Sequence, residues 1–222
     1  MAGTGRSAPV LVTGFVPFGG DDRNPSSEVA EALDGAKVGD RTVLAATLPV
    51  ARAGARERLT ALFEEVRPSA VLLLGLANGR IAPAVERLAV NVLDFPIPDN
   101  DGAQPVDRPV VNDGPAAYLS TLPVKAVLAS WRRAGIPGYV SNTAGTYVCN
   151  ASFYLASHLG ARSGIRVGLI HLPYLPEQAA GSAGRPDASM GFDLQVSCVR
   201  TALDVAVTHA GSDMVLAAGT VS

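Results

Sequence analysis

The sequence is poor in the residues that mark several large protein classes. Its 222 residues include only two cysteines, Cys149 and Cys198, and three histidines, His158, His171 and His209. Two cysteines make no disulfide framework. No H-x-x-x-H, C-x-x-C or carboxylate cluster offers a metal its ligands, so the reading includes neither metal nor cofactor. Eighteen Lys and Arg stand against twenty Asp and Glu, a net charge of −2, with no basic run. Nothing there attracts a phosphate backbone, which argues against nucleic acid as a partner. The longest uncharged apolar run, Ala70–Ala77, is far short of the ~20 residues of a membrane helix. Met1–Ser7 is rich in Gly, Ser and Ala, and the apolar Pro9–Val12 that follows is too short for a signal-peptide core. These absences point to a soluble, cytoplasmic chain with reduced thiols and no membrane partner.

What is present suits a packed core: 48% of residues are hydrophobic and 17% charged, which excludes disorder. The length fits one domain spanning residues 1–222. Short apolar runs predict strands at Pro9–Phe15, Thr42–Leu48, Ala70–Gly75, Leu88–Ile97, Pro137–Ser141 and Ile165–Leu172. Several are apolar throughout, as strands are when both sheet faces are covered. Asn24-Pro25 predicts a capped helix start, running to about Leu33. Leu59, Leu62, Phe63 and Val66 recur at i, i+3, i+4 and i+7 up to Arg67-Pro68, and Val124, Val127, Leu128 and Trp131 repeat the spacing before Gly135. Further helices are predicted from Cys149 to about His158 and over Met190–His209, with Phe192, Val196, Val199, Leu203 and Val207 inward. Alternating strands and helices predict an α/β fold, a single α/β/α sandwich around a mostly parallel twisted sheet. Asp99–Gly114 and Ala179–Ser189 read as long surface loops, a place where lids and interface arms occur.

Chemistry concentrates in few places. Cys149 follows the small-residue loop Ser141–Thr146 at the start of a predicted helix. Helix N-termini favour thiolates, with pKa values of about 3.5–7.5 at such sites, and their amides can hold an oxyanion. The alternative for Cys149 is a small buried hydrophobe. Cys198 sits among apolar residues in mid-helix and reads as structural. His171 ends a predicted strand, where α/β folds bind ligands, and is either a base or a satisfied core histidine. His158 and His209 fall near helix ends, where a cation is favourable anyway. Glu86 enters an apolar strand, where a carboxylate needs a partner; it either orients a histidine or pairs with the adjacent Arg87. Gly14-Phe15-Val16-Pro17-Phe18-Gly19-Gly20 matches no nucleotide-binding loop, and its two aromatics are either pocket walls or core.

Taken together, these segments resemble the pyroglutamyl peptidase I family of cysteine peptidases. The resemblance rests on Leu11–Gly20 with Asn24-Pro25-Ser26, Leu48-Pro49-Val50, Gly75–Arg80, Val85–Asn91, Ile97–Asn100, the Cys149 segment and Ile170–Gln178, which occur in family order. It implies Cys149 as nucleophile, His171 as base and Glu86 as the orienting acid. It also implies that Phe15 and Phe18 flank a substrate ring, with Tyr147, Val148 and Ile97 nearby. It further implies no cofactor, a peptide substrate beginning with pyroglutamate, and a homo-oligomer, tetramer or dimer. The chain departs from the family pattern at Pro96, where many members carry Arg, and at Leu76, where some carry Gln.

The chemistry of the ligand agrees with that resemblance. Pyroglutamate is a neutral lactam with apolar faces and no ammonium, so aromatics suit it better than an anionic cluster would. Backbone groups pairing its N–H and C=O would reject an open-chain Gln terminus. Two other enzyme classes fit less well. A glutamine amidotransferase usually places its acid two residues after the histidine, where this chain has Pro173. A nucleoside phosphorylase would need a phosphate site that the sequence lacks. A relative that has lost its chemistry, acting on another amide or only binding, is the remaining alternative.

Overall fold

The computed structural model describes residues 7–181 and 186–219. The chain runs β1 (Val10–Phe15), α1 (Pro25–Ala32), β2 (Lys37–Val38), β3 (Arg41–Leu48), α2 (Arg52–Val66), β4 (Ala70–Leu76), β5 (Ala84–Glu86) and β6 (Leu88–Val90). It continues through β7 (Ala117–Leu119), α3 (Val124–Arg133), β8 (Tyr139–Ser141), α4 (Val148–Ala161), β9 (Arg166–Leu172), α5 (Pro176–Ala180) and α6 (Phe192–Thr208).

The sheet order is β2-β3-β1-β4-β9-β5-β8. Pairs β3–β1, β1–β4, β4–β9 and β5–β8 are parallel, whereas β2–β3 and β5–β9 are antiparallel. Side-chain alternation divides the core in two. Val10, Val12, Leu72, Leu74, Ile170 and Leu172 face α1, α3 and α6. Leu11, Phe15, Val71, Leu73, Val167 and Leu169 face α2 and α4. Both faces are covered, which accounts for the unbroken apolar runs of β1, β4 and β9. This is the α/β/α sandwich that the alternating pattern predicts.

Local chemistry explains several helix ends. The Asn24 side chain accepts from the Ser26 amide, and Pro25 opens α1. Arg67 adopts a left-handed conformation and Pro68 follows, closing α2. Gly135, at φ +70°, turns the chain after α3. On α6 the buried stripe is centred on Cys198, Val199, Ala202 and Leu203, while Phe192, Val196 and Val207 are only partly buried.

The predicted strand Leu88–Ile97 is corrected. Only Leu88–Val90 is extended pairing, and it joins β7 in a separate ribbon. The main sheet is entered just before it, by β5. From Asn91 onward the backbone bonds to loops: Asn91 N–H donates to Ala116, Leu93 N–H to Arg108 and Phe95 N–H to Pro105. Pro96 and Pro98 supply no N–H to any ladder. In the Ala179–Ser189 stretch, α5 takes the first two residues, and 182–185 lie outside the described residues, as do residues 1–6 of Met1–Ser7.

Candidate active site

The site forms where β1, β4 and β9 end, and where the chain turns from β8 into α4. This C-terminal edge is the usual ligand side of a parallel sheet. His171 is the penultimate residue of β9 and pairs in register with Gly75 on β4 and with Ala84 on β5. Glu86 lies two residues beyond Ala84 on the same face, a diagonal neighbour across the antiparallel pair. The small Ala84 leaves the imidazole room to lean toward it. His171 Nδ1 lies 2.7 Å from Glu86 Oε1. A carboxylate oxygen only accepts, so Nδ1 carries the hydrogen and Nε2 is left free to take a proton.

Glu86 is fully buried, and its countercharge is Arg80, whose Nη1 reaches the same Oε1 at 2.9 Å. Arg80 is held in turn by the Tyr139 hydroxyl at 3.3 Å, by the Thr143 carbonyl at 3.4 Å and over the Tyr139 ring. Arg87 is not the partner of Glu86: its guanidinium donates to Asn142 Oδ1 and to the Ala218 carbonyl. Adjacent strand residues point to opposite faces, which forbids that pairing.

Cys149 is the second residue of α4, after the N-cap residue Tyr147, whose side chain makes no capping bond. A Cβ built on Gly75 would stand 3.0 Å from Cys149 Sγ and 3.1 Å from His171 Nε2, so sulfur and nitrogen border one methyl-sized space. The next residue, Asn150, is fully buried; its amide accepts from Val90 N–H and donates to the Val90 and Val92 carbonyls. It ties the start of α4 to the segment that follows Glu86.

Burial dominates the protonation of this pair. It pushes the Cys149 thiol up to about 12, helped by the charge of Glu86 and opposed by Arg80 and the residue's own amide. Burial thus works against the low thiol value that a helix N-terminus favours. Burial likewise lowers His171, against the hydrogen bond and charge of Glu86, which raise it. The resting pair is a thiol beside a neutral imidazole.

The surrounding residues divide into two groups. Phe18, Tyr147 and Phe95 form an aromatic wall, with ring centroids 6.2 Å apart for Phe18–Tyr147 and 4.6 Å for Phe95–Tyr147. Ile97 is exposed at 44% beside it in sequence. Phe15 and Val148, by contrast, are 1% exposed and belong to the α2/α4 core. The segment 94–100 is stapled to this wall: Thr146 Oγ1 donates to the Asp94 carbonyl, Tyr147 OH to the Pro98 carbonyl, and Asn100 Nδ2 to the Pro17 carbonyl. Asp99 anchors the segment by accepting from the amides of Arg52, Asp101 and Ala103. Leu76 is buried at the end of β4, and Pro96 is exposed.

Arg80, Asn150 and Phe95 were not singled out from sequence. Each acts through tertiary contacts, and only the polar Asn150 next to Cys149, in a mostly apolar helix, carries a local signal. Among the described residues, no group of three or more His, Cys, Asp or Glu could hold a metal, and no helix is long and apolar enough to cross a membrane.

A thiol, an imidazole and a carboxylate converge at the C-terminal edge of an α/β/α sheet, an arrangement of residue types that can support acyl transfer. A sequence profile of the pyroglutamyl peptidase family matches residues 8–209. The pyrrolidone-carboxylate peptidase of Pseudomonas fluorescens is 49% identical over 214 residues, covering 96% of this chain and 99% of its own. That of Pyrococcus furiosus is 44% identical, covering 89% and 97%. The solved pyrrolidone carboxyl peptidase of Thermococcus litoralis superposes with a TM-score of 0.92 at 37% identity, covering 95% of this chain and 99% of that one. The chain belongs to the pyroglutamyl peptidase family.

Proposed function

We propose that this chain is a cysteine peptidase that removes an N-terminal pyroglutamyl residue from peptides, with Cys149 as nucleophile, His171 as general base and acid, and Glu86 as the group that orients the ring. One observation carries the assignment: Glu86 Oε1 holds Nδ1 of His171 at 2.7 Å, while Nε2 borders the same small space as Cys149 Sγ.

As the thiol attacks the carbonyl joining pyroglutamate to the next residue, its proton moves to His171 Nε2. The elevated thiol makes this transfer part of the attack, since no thiolate is stored beforehand. Glu86 stabilises the imidazolium that forms. The tetrahedral oxyanion lies against the first-turn amides of α4, which have no intrahelical acceptor and no side-chain cap. Collapse of the intermediate breaks the amide bond, and His171 returns the proton to the leaving amine. Water then attacks the thioester with His171 as base, releasing pyroglutamate and restoring the thiol.

The pocket suits a neutral ring. Phe18, Tyr147 and Ile97 offer apolar contact, with Phe15 and Val148 backing it from the core. Glu86 is fully buried, with Arg80 and His171 both on its Oε1, which leaves no exposed carboxylate oxygen for an ammonium. With no Arg at position 96, oxyanion stabilisation falls to the backbone. We also propose that residues 1–222 act as one domain, in the cytoplasm, and as a homo-oligomer, tetramer or dimer. Sedimentation measures the state of assembly.

The deciding experiment is release of a fluorogenic amine from a pyroglutamyl amide and from the matching N-terminal Gln amide. The wild type should cleave the first only, and Cys149→Ser neither. Equal cleavage of the Gln amide would refute lactam recognition, and unchanged turnover by Cys149→Ser would refute the nucleophile.

A further inference from the structure

We infer that Gly75 is a positioning residue of the active site, whose missing side chain keeps open the space in which the Cys149 thiol meets the His171 imidazole. The inference rests on the proposed roles of those two residues and adds to them what sets their separation.

The argument begins with the strand. Gly75 lies in β4, between two strands that cover its edges, where every neighbour from Ala70 to Leu76 is buried. Glycine weakens a strand interior by its entropy and by packing nothing. Its backbone lies outside the left-handed region that would call for glycine, so alanine is sterically allowed as far as the main chain is concerned. The reason for glycine is therefore lateral. Val71, Leu73 and Gly75 share the sheet face that packs on α2 and α4, and residue 75 is in register with His171 on the parallel neighbour β9. Side chains in that register stand side by side, pointing toward α4, where Cys149 sits.

A Cβ at this position would meet His171 Cδ2 at 2.9 Å, Cys149 Sγ at 3.0 Å and His171 Nε2 at 3.1 Å. All three are inside ordinary van der Waals contact, and they are the reacting atoms with one ring neighbour. Neither partner can yield freely. The ring is fixed at Nδ1 by Glu86, and Cys149 is anchored in α4 beside Asn150, whose amide makes three bonds to Val90 and Val92. A methyl group at residue 75 must push thiol and imidazole apart or wedge between them. Gly168, on β9, offers the contrast: a Cβ there collides with Leu122 and Ser120, away from the site.

The test is a double-mutant cycle read by alkylation of Cys149 with iodoacetamide across pH, which needs no substrate turnover; Cys198 is fully buried. Gly75→Ala should slow alkylation at neutral pH by roughly 10²-fold, the effect expected of a displacement of about 1 Å. The pH dependence should become that of a thiol without a base. In a His171→Ala background, already slow, Gly75→Ala should change nothing further. An equal slowing in both backgrounds, or a wild-type rate and profile in Gly75→Ala, would overturn the inference. If Gly75→Ala lowers Tm, removing a collision partner with Cys149→Ala should restore it. A Tm loss that persists when both Cys149 and His171 are alanine would place the clash elsewhere and refute the proposal. A wild type that alkylates normally yet hydrolyses no pyroglutamyl amide would instead refute the proposed substrate and leave the Gly75 inference standing.

Discussion

The two cysteines occupy two helices, and the contrast between them sets the proposed nucleophile against a packed thiol. Cys198 lies in the middle of α6, fully buried among Val199, Ala202 and Leu203, and burial is the whole cause of its raised pKa. Its carbonyl accepts from Trp131 Nε1 at 2.9 Å, a contact that makes no use of the sulfur. Cys149 begins α4, and burial raises its thiol as well. Acidity therefore does not distinguish the pair. What distinguishes them is company: Cys149 has an oriented imidazole beside it, a carboxylate behind the imidazole and a guanidinium behind the carboxylate.

The sharpest way to break the comparison is to remove each sulfur in turn. Cys149→Ala should lower kcat/KM for a pyroglutamyl amide by something on the order of 10⁴–10⁶, the loss seen when a covalent nucleophile is deleted, with little change in Tm. Cys198→Ala should do the opposite. Turnover should stay near wild type, while a small cavity in the α3/α6 core costs about 1 kcal/mol of stability, measured by urea unfolding. Loss of activity in folded Cys198→Ala would mean that the two regions are not separable.

A smaller effect tests the charge behind the carboxylate. Arg80 lowers both His171 and the Cys149 thiol. Arg80→Met should therefore raise both. The acid limb of kcat/KM, which follows loss of neutral His171, should start below the ordinary imidazole value of about 6.5 in the wild type and move to higher pH in the variant. Activity near neutrality should drop by roughly 10–10²-fold, within the range that assisted proton transfer supplies. A uniform loss at all pH values, with the limb unmoved, would reduce Arg80 to a structural ion pair.

How much of this was legible in the sequence depends on whether a feature is local. β1, β4 and β9 are readable because two covered faces leave nothing but apolar residues. α1 is readable because Asn24-Pro25 is a capping signal in itself. β5 is not: Ala84-Val85-Glu86 is three residues long and carries a charge, and only the slot between β9 and β8 makes it a strand. Cys149 and His171 stand out because each sits at an element's end among few alternatives. The partner of Glu86 lay six residues upstream, because strand alternation sends Arg87 to the other face while the turn after β4 brings Arg80 back. The thiol's protonation was hidden for a similar reason. A helix N-terminus can be read from sequence, but the burial that works against it is a property of the packed molecule.

The smallest effect is the one that titration of the thiol leaves in the stability curve. Unfolded, the Cys149 thiol ionises near its ordinary value of 9.0; folded, it is held up to about 12. Between those values the unfolded state releases a proton that the folded state keeps, so stability falls as pH rises through that window and the contribution is intact below it. The slope for one such group is at most about 1.4 kcal/mol per pH unit. Cys149→Ser removes the titrating group, so the unfolding free energy of the wild type minus that of the variant should be flat below pH 9 and fall above it. Cys198 titrates equally in both proteins and cancels, as do the raised Tyr154 and Tyr174, whereas Tyr147, which Cys149 helps to raise, adds to the same difference. A difference that stays flat through the whole range would mean that folding leaves the thiol's pKa unchanged, and one that rises with pH below 9 would mean that the thiolate is already formed in the folded state; either would make the contrast between the two cysteines one of acidity after all.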